Sequence, residues 1–315
     1  MNTPTIGIVI PCFNESDVIN DSYKLISGAI NRLIKQKLIS EKSFIGFVDD
    51  GSTDETWFKI EQLSLLNKNV KGLKLSKNVG HQNALLAGLL TYNKTSDALI
   101  SIDADMQDDI SVMESMIEKY ITGNQVVYAV RKERKTDSFF KRNTALMFYK
   151  LMKFMCVNII YNHADYRLYS STIINALNEY KEANLFLRGI IPDIGFKSDI
   201  VYYDRAERLA GKSKYSLSKM ISFAWDGITS FSNYPLKLVT LLSFIVFIIC
   251  ILMSIYAVIS LYYRSVVPGW FSTVLPMYFL GGVQLFSLGI IGEYIGKIYK
   301  ETKHRPRYFI EKMID

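Results

Sequence analysis

The segment Ala98-Leu99-Ile100-Ser101-Ile102 runs directly into Asp103-Ala104-Asp105-Met106-Gln107-Asp108. The apolar run has the length and composition of a buried β-strand, and the carboxylates begin where it ends. This carboxyl edge is where open α/β sheets bind ligands. In an extended strand end Asp103 and Asp105 project from the same side, with Gln107 next, so the segment can hold one hard divalent cation. A strand end capped by solvated acids is the structural alternative.

Strand and helix patterns alternate on the N-terminal side of this segment. We predict strands at 5–10, 44–48, 70–75 and 98–102. We also predict three helices: one begins near Asp17, a second ends near Leu66, and a third covers 82–92. Helical crossovers between successive strands are typical of a parallel sheet covered on both faces. The spacing of Ser52 and Glu55 predicts a capping box at the second helix. The fold class is therefore predicted to be α/β with a mainly parallel sheet.

Acidic side chains recur where the predicted strands end. Glu15 follows the first strand, Asp50 the second, and Asp103 and Asp105 the fourth. Because parallel strands end at one edge of a sheet, these side chains are expected to converge. A carboxylate such as Asp50 can accept hydrogen bonds from a base or ribose, and a cation on Asp103 and Asp105 neutralises phosphate. The pattern predicts a site for a nucleoside diphosphate.

The C-terminal part of the chain has a different composition. The 315 residues are 49% hydrophobic, and no charged side chain occurs in 238–263 or in 265–292. Each stretch exceeds the roughly 20 residues that cross a bilayer core. We therefore predict transmembrane helices at 236–263 and 270–296. Two buried helices of a soluble core are the alternative.

Charge and amphipathicity predict how the chain meets the membrane. The net charge is +7, and 297–315 is predicted to be a basic tail. Positive-inside bias places both termini in the cytoplasm, and the basic character suits anionic lipid. Residues 216–235 have an apolar face that predicts an amphipathic interfacial helix. The spacing of Gly292 and Gly296 favours a homo-oligomer.

Several classes of protein are not indicated. No nucleic-acid recognition motif accompanies the positive charge. The first apolar run is too short for a secretory signal and lacks a basic leader. The three cysteines are widely spaced, so neither a disulfide framework nor a zinc site is predicted, and a reducing compartment fits.

The motifs, taken together, resemble those of family 2 glycosyltransferases of GT-A fold. The similarity is strongest to the branch that moves a sugar from a nucleotide to a polyprenyl phosphate, such as dolichyl-phosphate mannose synthases and bactoprenol glucosyltransferases. The matching segments are Pro11-Cys12-Phe13-Asn14-Glu15, Asp49-Asp50-Gly51-Ser52-Thr53-Asp54, Asn78-Val79-Gly80-His81-Gln82-Asn83-Ala84-Leu85, 103–108, Asp165-Tyr166-Arg167-Leu168, 208–215 and 292–299. The resemblance implies a GT-A catalytic domain over 1–215.

The resemblance also implies roles for individual residues. Nucleotide-sugar binding falls on Pro11, Glu15, Asp50, Asp103, Arg208, Ser213 and Lys214. The divalent cation, Mg²⁺ or Mn²⁺, falls on Asp103, Asp105 and Gln107, and the lipid phosphate on Arg131 and Arg167. Asp103 and Asp105 are the catalytic candidates, together with Asp108, which is expected to position the attacking phosphate. A phosphate acceptor is largely ionised at neutral pH, so no strong general base is required, and we expect His81 and His163 to be structural.

The implied activity is that of an inverting polyprenyl-phosphate hexosyltransferase. Glucose from UDP-glucose would be transferred to undecaprenyl phosphate at the cytoplasmic face of a bacterial inner membrane, for O-antigen-type modification. A flippase partner would then move the lipid-linked sugar. GDP-mannose, UDP-GlcNAc and UDP-amino sugars remain open as donors, and an inactive nucleotide-binding membrane adaptor remains the alternative function. A processive synthase would be expected to carry Gln-x-x-Arg-Trp, which the sequence lacks.

Overall fold

The computed structural model describes residues 3–132, 163–182, 186–204, Thr229, 234–262 and 269–315. The strands are β1 (Ile6–Cys12), β2 (Phe44–Asp49), β3 (Val70–Leu75), β4 (Ala98–Ser101), β5 (Val126–Arg131), β6 (His163–Ser170), β7 (Ser198–Tyr203) and β8 (Ile310–Ile314). The helices are α1 (Ile19–Lys35), α2 (Thr56–Leu66), α3 (His81–Tyr92), α4 (Val112–Ile121), α5 (Ser171–Glu179), α6 (Leu187–Asp193), α7 (Tyr234–Tyr262) and α8 (Trp270–Thr302). A 3-10 turn, Asn93–Thr95, follows α3.

The strands form one sheet in the order β7-β5-β6-β4-β1-β2-β3-β8. Strand β1 pairs in parallel with β2 and β4, β2 pairs in parallel with β3, and β5 with β7. Strand β6 runs antiparallel between β4 and β5, and β8 runs antiparallel at the edge beside β3. The predicted α/β fold with a mainly parallel sheet is therefore confirmed. The carboxyl ends of β4, β1 and β2 lie side by side.

Helices cover both faces of the sheet, which explains why the central strands are apolar along their whole length. Every residue of β1 is buried. Ile8 and Ile10 belong to the core cluster that includes side chains of α1, α2 and α4. Val9 points to the other face, into the cluster that includes side chains of α3, α5 and α6. Two cores thus hold the strand ends rigidly.

The start of α2 differs from the predicted capping box. The Ser52 hydroxyl accepts a hydrogen bond from the Asn14 backbone N–H, at 3.0 Å, and not from the helix. Asp54 stabilises the first turn instead, because its carboxylate accepts from the Thr56 N–H at 3.0 Å. The prediction of a cap by Ser52 and Glu55 is wrong because the loop after β1 takes the Ser52 side chain.

The C-terminal helices form close to where they were predicted. Of the described helices, one segment, Phe279–Thr302 in α8, is both long and apolar enough to cross a bilayer. The apolar segment found in α7, Tyr234–Ile249, is shorter. Two transmembrane helices are therefore not confirmed. The predicted interfacial helix at 216–235 lies, apart from Thr229 and the first residues of α7, outside the described residues.

The C-terminal residues return to the sheet and add an edge strand. Residues 297–315 were predicted to be a basic tail, but α8 continues to Thr302 and β8 then pairs with β3. Lys312 forms an ion pair with Glu61 at 2.6 Å, and Lys74 with Glu311 at 2.8 Å. Sequence analysis missed this strand because its Ile310–Ile314 pattern is short and charged.

Candidate active site

The loops after β1 and β2 interlock and form one wall of the cleft. Asn14 has a left-handed backbone (φ 52°), and its side-chain oxygen accepts from the Thr53 N–H at 2.9 Å. The Glu15 N–H donates to the Thr56 hydroxyl at 2.9 Å. Pro11 is buried within β1, whereas Glu15 is half-buried at the loop. These hydrogen bonds fix the segment that the sequence assigns to the nucleotide.

Asp50 connects this wall to the beginning of α3. Its two carboxylate oxygens accept hydrogen bonds from the backbone N–H groups of Val79, at 2.7 Å, and Gly80, at 3.0 Å. Burial raises the pKa of Asp50, and these two N–H groups oppose the rise. Asp50 is 3% exposed, so the structure gives it an anchoring role in addition to any contact with a base or ribose.

Gly51 is required by the same turn. Its φ of +67° lies in the left-handed region, which residues with a Cβ atom rarely adopt. A Cβ atom at this position would lie 2.5 Å from the carbonyl carbon of Lys77. The loops before α3 and after β2 therefore approach as closely as they do only because residue 51 is glycine.

The acids after β4 lie in a turn, and not in the extended strand that the sequence argument assumed. The Met106 N–H donates to the Asp103 carbonyl at 3.4 Å, and Met106 has a φ of 49°. Ala104 and Met106 are buried in the core. Asp103 and Asp105 are both partly exposed. Alternate side chains of this segment therefore still face the core and the cleft in turn.

Burial raises the pKa of Asp103 to about 6, and His81 opposes this rise. The neighbouring carboxylates of Asp108, Asp165 and Asp105 raise it further. The Asp103 side chain is 37% exposed, so it borders the cleft. This edge of the sheet thus concentrates negative charge beside an opening.

Asp165, on β6, is the hub of a charged network at this edge. Its carboxylate accepts from the Arg167 guanidinium at 2.7 Å and from two nitrogens of Arg188, at 2.9 and 3.1 Å. His81 Nε2 lies 3.6 Å from Asp103 and 3.9 Å from Asp165. Burial raises the pKa of Asp165, but the two guanidinium groups outweigh it and hold the pKa well below its usual range. His81, expected to be structural, lies within the site.

Arg167 is placed differently from the prediction. Its side chain is 0% exposed, and it donates to Asp165 and, at 3.4 Å, to the Leu187 carbonyl. A guanidinium without exposed surface is not accessible to a lipid phosphate in this conformation. Arg188, on the short helix α6, is 30% exposed and forms an ion pair with the same carboxylate of Asp165.

Arg131 and Asp108 form a second group. The Tyr203 hydroxyl donates to the Asp108 carboxylate and accepts from Arg131 Nε at 3.1 Å. Arg131 also lies 3.4 Å from Asp108, whose side chain is 2% exposed. Asp108 therefore fixes the orientation of Arg131 and is not open to the cleft. The partly exposed Arg131 remains accessible at the end of β5.

The chain matches two family models. The Glycosyl transferase family 2 model covers residues 7–177, and the GtrB C-terminal hairpin model covers 234–298. The chain belongs to glycosyl transferase family 2. It is 53% identical to "Uncharacterized glycosyltransferase YkoT" of Bacillus subtilis, over 98% of this chain and 91% of that protein. It is 40% identical to the "Bactoprenol glucosyl transferase" of Shigella phage SfV, over 97% of this chain and 98% of the relative. It is 38% identical to the "Prophage bactoprenol glucosyl transferase homolog" of Escherichia coli, over 98% of this chain and 99% of the relative.

Several predicted site residues of this glycosyltransferase have no described position. Arg208, Ser213 and Lys214, predicted to close over the phosphates, lie outside the described residues. Gln107, predicted as a metal ligand, is 7% exposed. Within the described ranges, no group of three His, Cys, Asp or Glu side chains is arranged to hold a metal ion.

The structure adds residues that the sequence analysis did not assign to the site. Asp165 belongs to a motif shared with the family, and that motif was the available signal for it. Arg188 is about 20 residues from the nearest motif quoted above, and Tyr203 lies outside those motifs, five residues before the segment 208–215. They reach the site because α6 and β7 return to the edge where β4 and β5 end.

Proposed function

We propose that this glycosyltransferase transfers glucose from UDP-glucose to undecaprenyl phosphate, with inversion at the anomeric carbon. The observation that carries the proposal is the juxtaposition of Asp103 with the network of Asp165, His81 and Arg188 at the edge where β1, β2 and β4 end. The "Bactoprenol glucosyl transferase" relative, matched over nearly its full length, supports the choice of sugar and acceptor.

The donor's diphosphate is proposed to lie beside Asp103 and Asp105. The two carboxylates offer hard oxygen ligands, and the raised pKa of Asp103, caused mainly by burial and further by the neighbouring carboxylates, fits a site whose negative charge a divalent cation such as Mg²⁺ or Mn²⁺ would neutralise. Such a cation supplies positive charge to the departing nucleoside diphosphate. Gln107 is proposed as a further ligand. Pro11, Glu15 and Asp50 shape the nucleotide wall, and Arg208, Ser213 and Lys214 are proposed to contact the phosphates.

The acceptor phosphate is proposed to bind on the opposite side of the acids. Arg188 and Arg131 are the described cations that are partly exposed there. Their positive charge holds an anionic nucleophile next to acids that would otherwise repel it, and Asp165 orients Arg188. Asp108 contributes by holding Arg131 through Tyr203. Because the phosphate arrives ionised, the residues need only position it.

We propose that both α7 and α8 cross the bacterial inner membrane. The 29 residues of α7 extend about 43 Å at 1.5 Å per residue, longer than a hydrocarbon core of about 30 Å. Strand β8 follows α8 after a short connection and pairs with the catalytic sheet, so the end of α8 and the active site share one side of the membrane. A hairpin then places both termini on that cytoplasmic side. A homo-oligomer and a flippase partner are further proposals.

Other donors and an inactive adaptor are the competing functions. GDP-mannose, UDP-GlcNAc or a UDP-amino sugar would use the same acids, since these acids contact the diphosphate and not the epimeric hydroxyls. An adaptor would bind nucleotide without transfer. The adaptor is disfavoured by the network at Asp165, which orients a partly exposed cation beside the acids and has no evident purpose in nucleotide binding alone.

A pair of variants in one loop tests the proposal. Asp105→Ala should lower transfer of labelled glucose to undecaprenyl phosphate by at least about 100-fold, since it removes charge stabilisation from the leaving group. Asp109→Ala is the matched control, because the Asp109 carboxylate accepts a hydrogen bond from the Ser111 N–H, at 2.8 Å, within its own turn. Undiminished transfer by Asp105→Ala would refute the metal and diphosphate assignment.

A further inference from the structure

A cavity of about 410 Å³ lies where the end of α8 meets the catalytic domain. Its apolar wall consists of Leu86 and Leu90, one turn apart on α3, and Tyr308 from the segment before β8. Its volume is within the range of small-molecule sites. Its lining includes none of the acids of the active site, and its α3 residues Leu86 and Leu90 lie about 7 and 13 Å along the helix from His81, so the cavity is separate from that site.

The polar wall of the cavity is mainly basic. Lys181, Arg305 and Arg307 line it together with one carboxylate, that of Glu301. Arg307 is held by the protein, because its Nε donates to the Glu182 carbonyl at 3.0 Å. Lys181 and Arg305 are exposed, and Arg305 makes no ion pair with a residue that the structure describes. The Lys181 ammonium donates one hydrogen bond to the Asn178 carbonyl at 2.6 Å, which leaves two of its N–H groups for an anion beside Arg305.

The chain direction puts these cations at the membrane boundary. The segment of α8 that is long and apolar enough to cross a bilayer is Phe279–Thr302, and its last turns carry the charged side chains of Lys297, Lys300 and Glu301. His304 has a left-handed backbone (φ 46°), which ends the helix and turns the following residues back toward α3. Arg305 therefore lies three residues beyond the end of α8, next to the charged last turns that follow its apolar part. Ile295 and Ile298, each 59% exposed, form an apolar surface on the preceding turns.

We propose that this cavity binds the headgroup of an anionic phospholipid. The phosphodiester would lie between Lys181 and Arg305, the glycerol region against Leu90, and the acyl chains along Ile295 and Ile298. Basic pockets beside membrane helices on the cytoplasmic side are suited to anionic headgroups. The inference rests on the proposed membrane placement of α8, and it assigns the lipid an auxiliary role distinct from that of the acceptor.

Such a lipid would connect the membrane helix to the catalytic domain. It contacts α3 on one side and the end of α8 on the other, and α3 begins at His81 in the active site. The bound headgroup would also offset the repulsion between Lys181 and Arg305. The lipid would thus add to the contacts that already join the end of α8 to the catalytic domain through β8 and Arg307.

Native mass spectrometry of the full-length, delipidated protein tests the proposal. Phosphatidylglycerol is added, with phosphatidylcholine of the same chains as the neutral comparison, and no nucleotide sugar is present. We expect retention of one phosphatidylglycerol, bound roughly tenfold to thirtyfold more weakly by Lys181→Ala/Arg305→Ala. The control, Lys300→Ala/Lys303→Ala, removes the same charge at the same boundary from two exposed residues outside the cavity.

A second variant, Leu90→Phe, reduces the cavity without altering charge, and it should also weaken binding. Equal losses in the cavity and control variants would overturn the proposal, because binding would then be surface electrostatics. Displacement by inorganic phosphate, or preferential retention of undecaprenyl phosphate, would overturn it as well. Sugar transfer is measured separately on the same preparations. An active enzyme that retains no phosphatidylglycerol would refute the lipid site alone, and an inactive one that retains it would refute the proposed function alone.

Discussion

Replacing Arg167 by methionine should destabilise the protein more than it affects the binding of substrate. The guanidinium is fully buried and supplies one of the two cations that face Asp165. Removing one partner of a buried ion pair costs about 3 to 5 kcal/mol. Arg188 still pairs with Asp165, so we expect the lower end, about 3 kcal/mol. For a domain of this size that corresponds to a decrease in Tm of roughly 6 to 12 °C.

Arg188→Met is the matched comparison. The Arg188 side chain is 30% exposed, so the loss of its ion pair should cost only about 1 kcal/mol. Its transfer activity should nevertheless fall at least about tenfold, because a cation proposed to hold the acceptor phosphate is lost. Thermal unfolding in detergent and transfer kinetics with varied lipid acceptor separate the two effects. An Arg167→Met protein with unchanged Tm and a raised KM for the lipid would refute the structural role of Arg167.

Three further changes have defined outcomes. Gly51→Ala should abolish UDP binding measured by calorimetry, because the added methyl group collides with the Lys77 backbone. Gly123→Ala, also at positive φ but with open space around the added methyl group, should retain binding. Equal UDP binding by the two variants would contradict the requirement for glycine at residue 51. Tyr203→Phe should raise the KM for the lipid acceptor severalfold, because Arg131 loses its hydrogen bond to the Tyr203 hydroxyl. The control Tyr202→Phe, at the exposed neighbouring residue, should leave this KM unchanged. A decrease in kcat with an unchanged KM in Tyr203→Phe would exclude this positioning role. Deleting β8 should lower Tm, since β3 loses its edge partner, and an unchanged Tm would contradict the pairing.

The sequence carried most of the information on the catalytic sheet. The strands with long apolar runs, such as Ile6–Cys12, were predicted because burial on both faces leaves no polar positions. The convergence of the acids at the strand ends was also predicted, because a parallel sheet brings the carboxyl ends of its strands together. Asp103 and Asp105 did separate from the core as alternation predicts, although the backbone forms a turn.

The sequence carried less information on contacts between distant segments. The burial of Arg167 depends on Asp165 and the Leu187 carbonyl, and the pairing of Ile310–Ile314 depends on a partner more than 200 residues away. Ser52 lost its predicted cap because Asn14 competes for its hydroxyl. In each case a tertiary hydrogen bond overrides a local pattern, and local patterns do not encode such bonds.

Transfer of label from a panel of radioactive nucleotide sugars to undecaprenyl phosphate, in membranes containing the protein, tests the central claim most directly. Each donor is assayed with and without a chelator of divalent cations. The account predicts one labelled lipid product, formed from UDP-glucose and lost when the chelator is present. A product formed equally well with the chelator would contradict the metal site at Asp103 and Asp105, and no lipid product from any donor would contradict the proposed transfer itself.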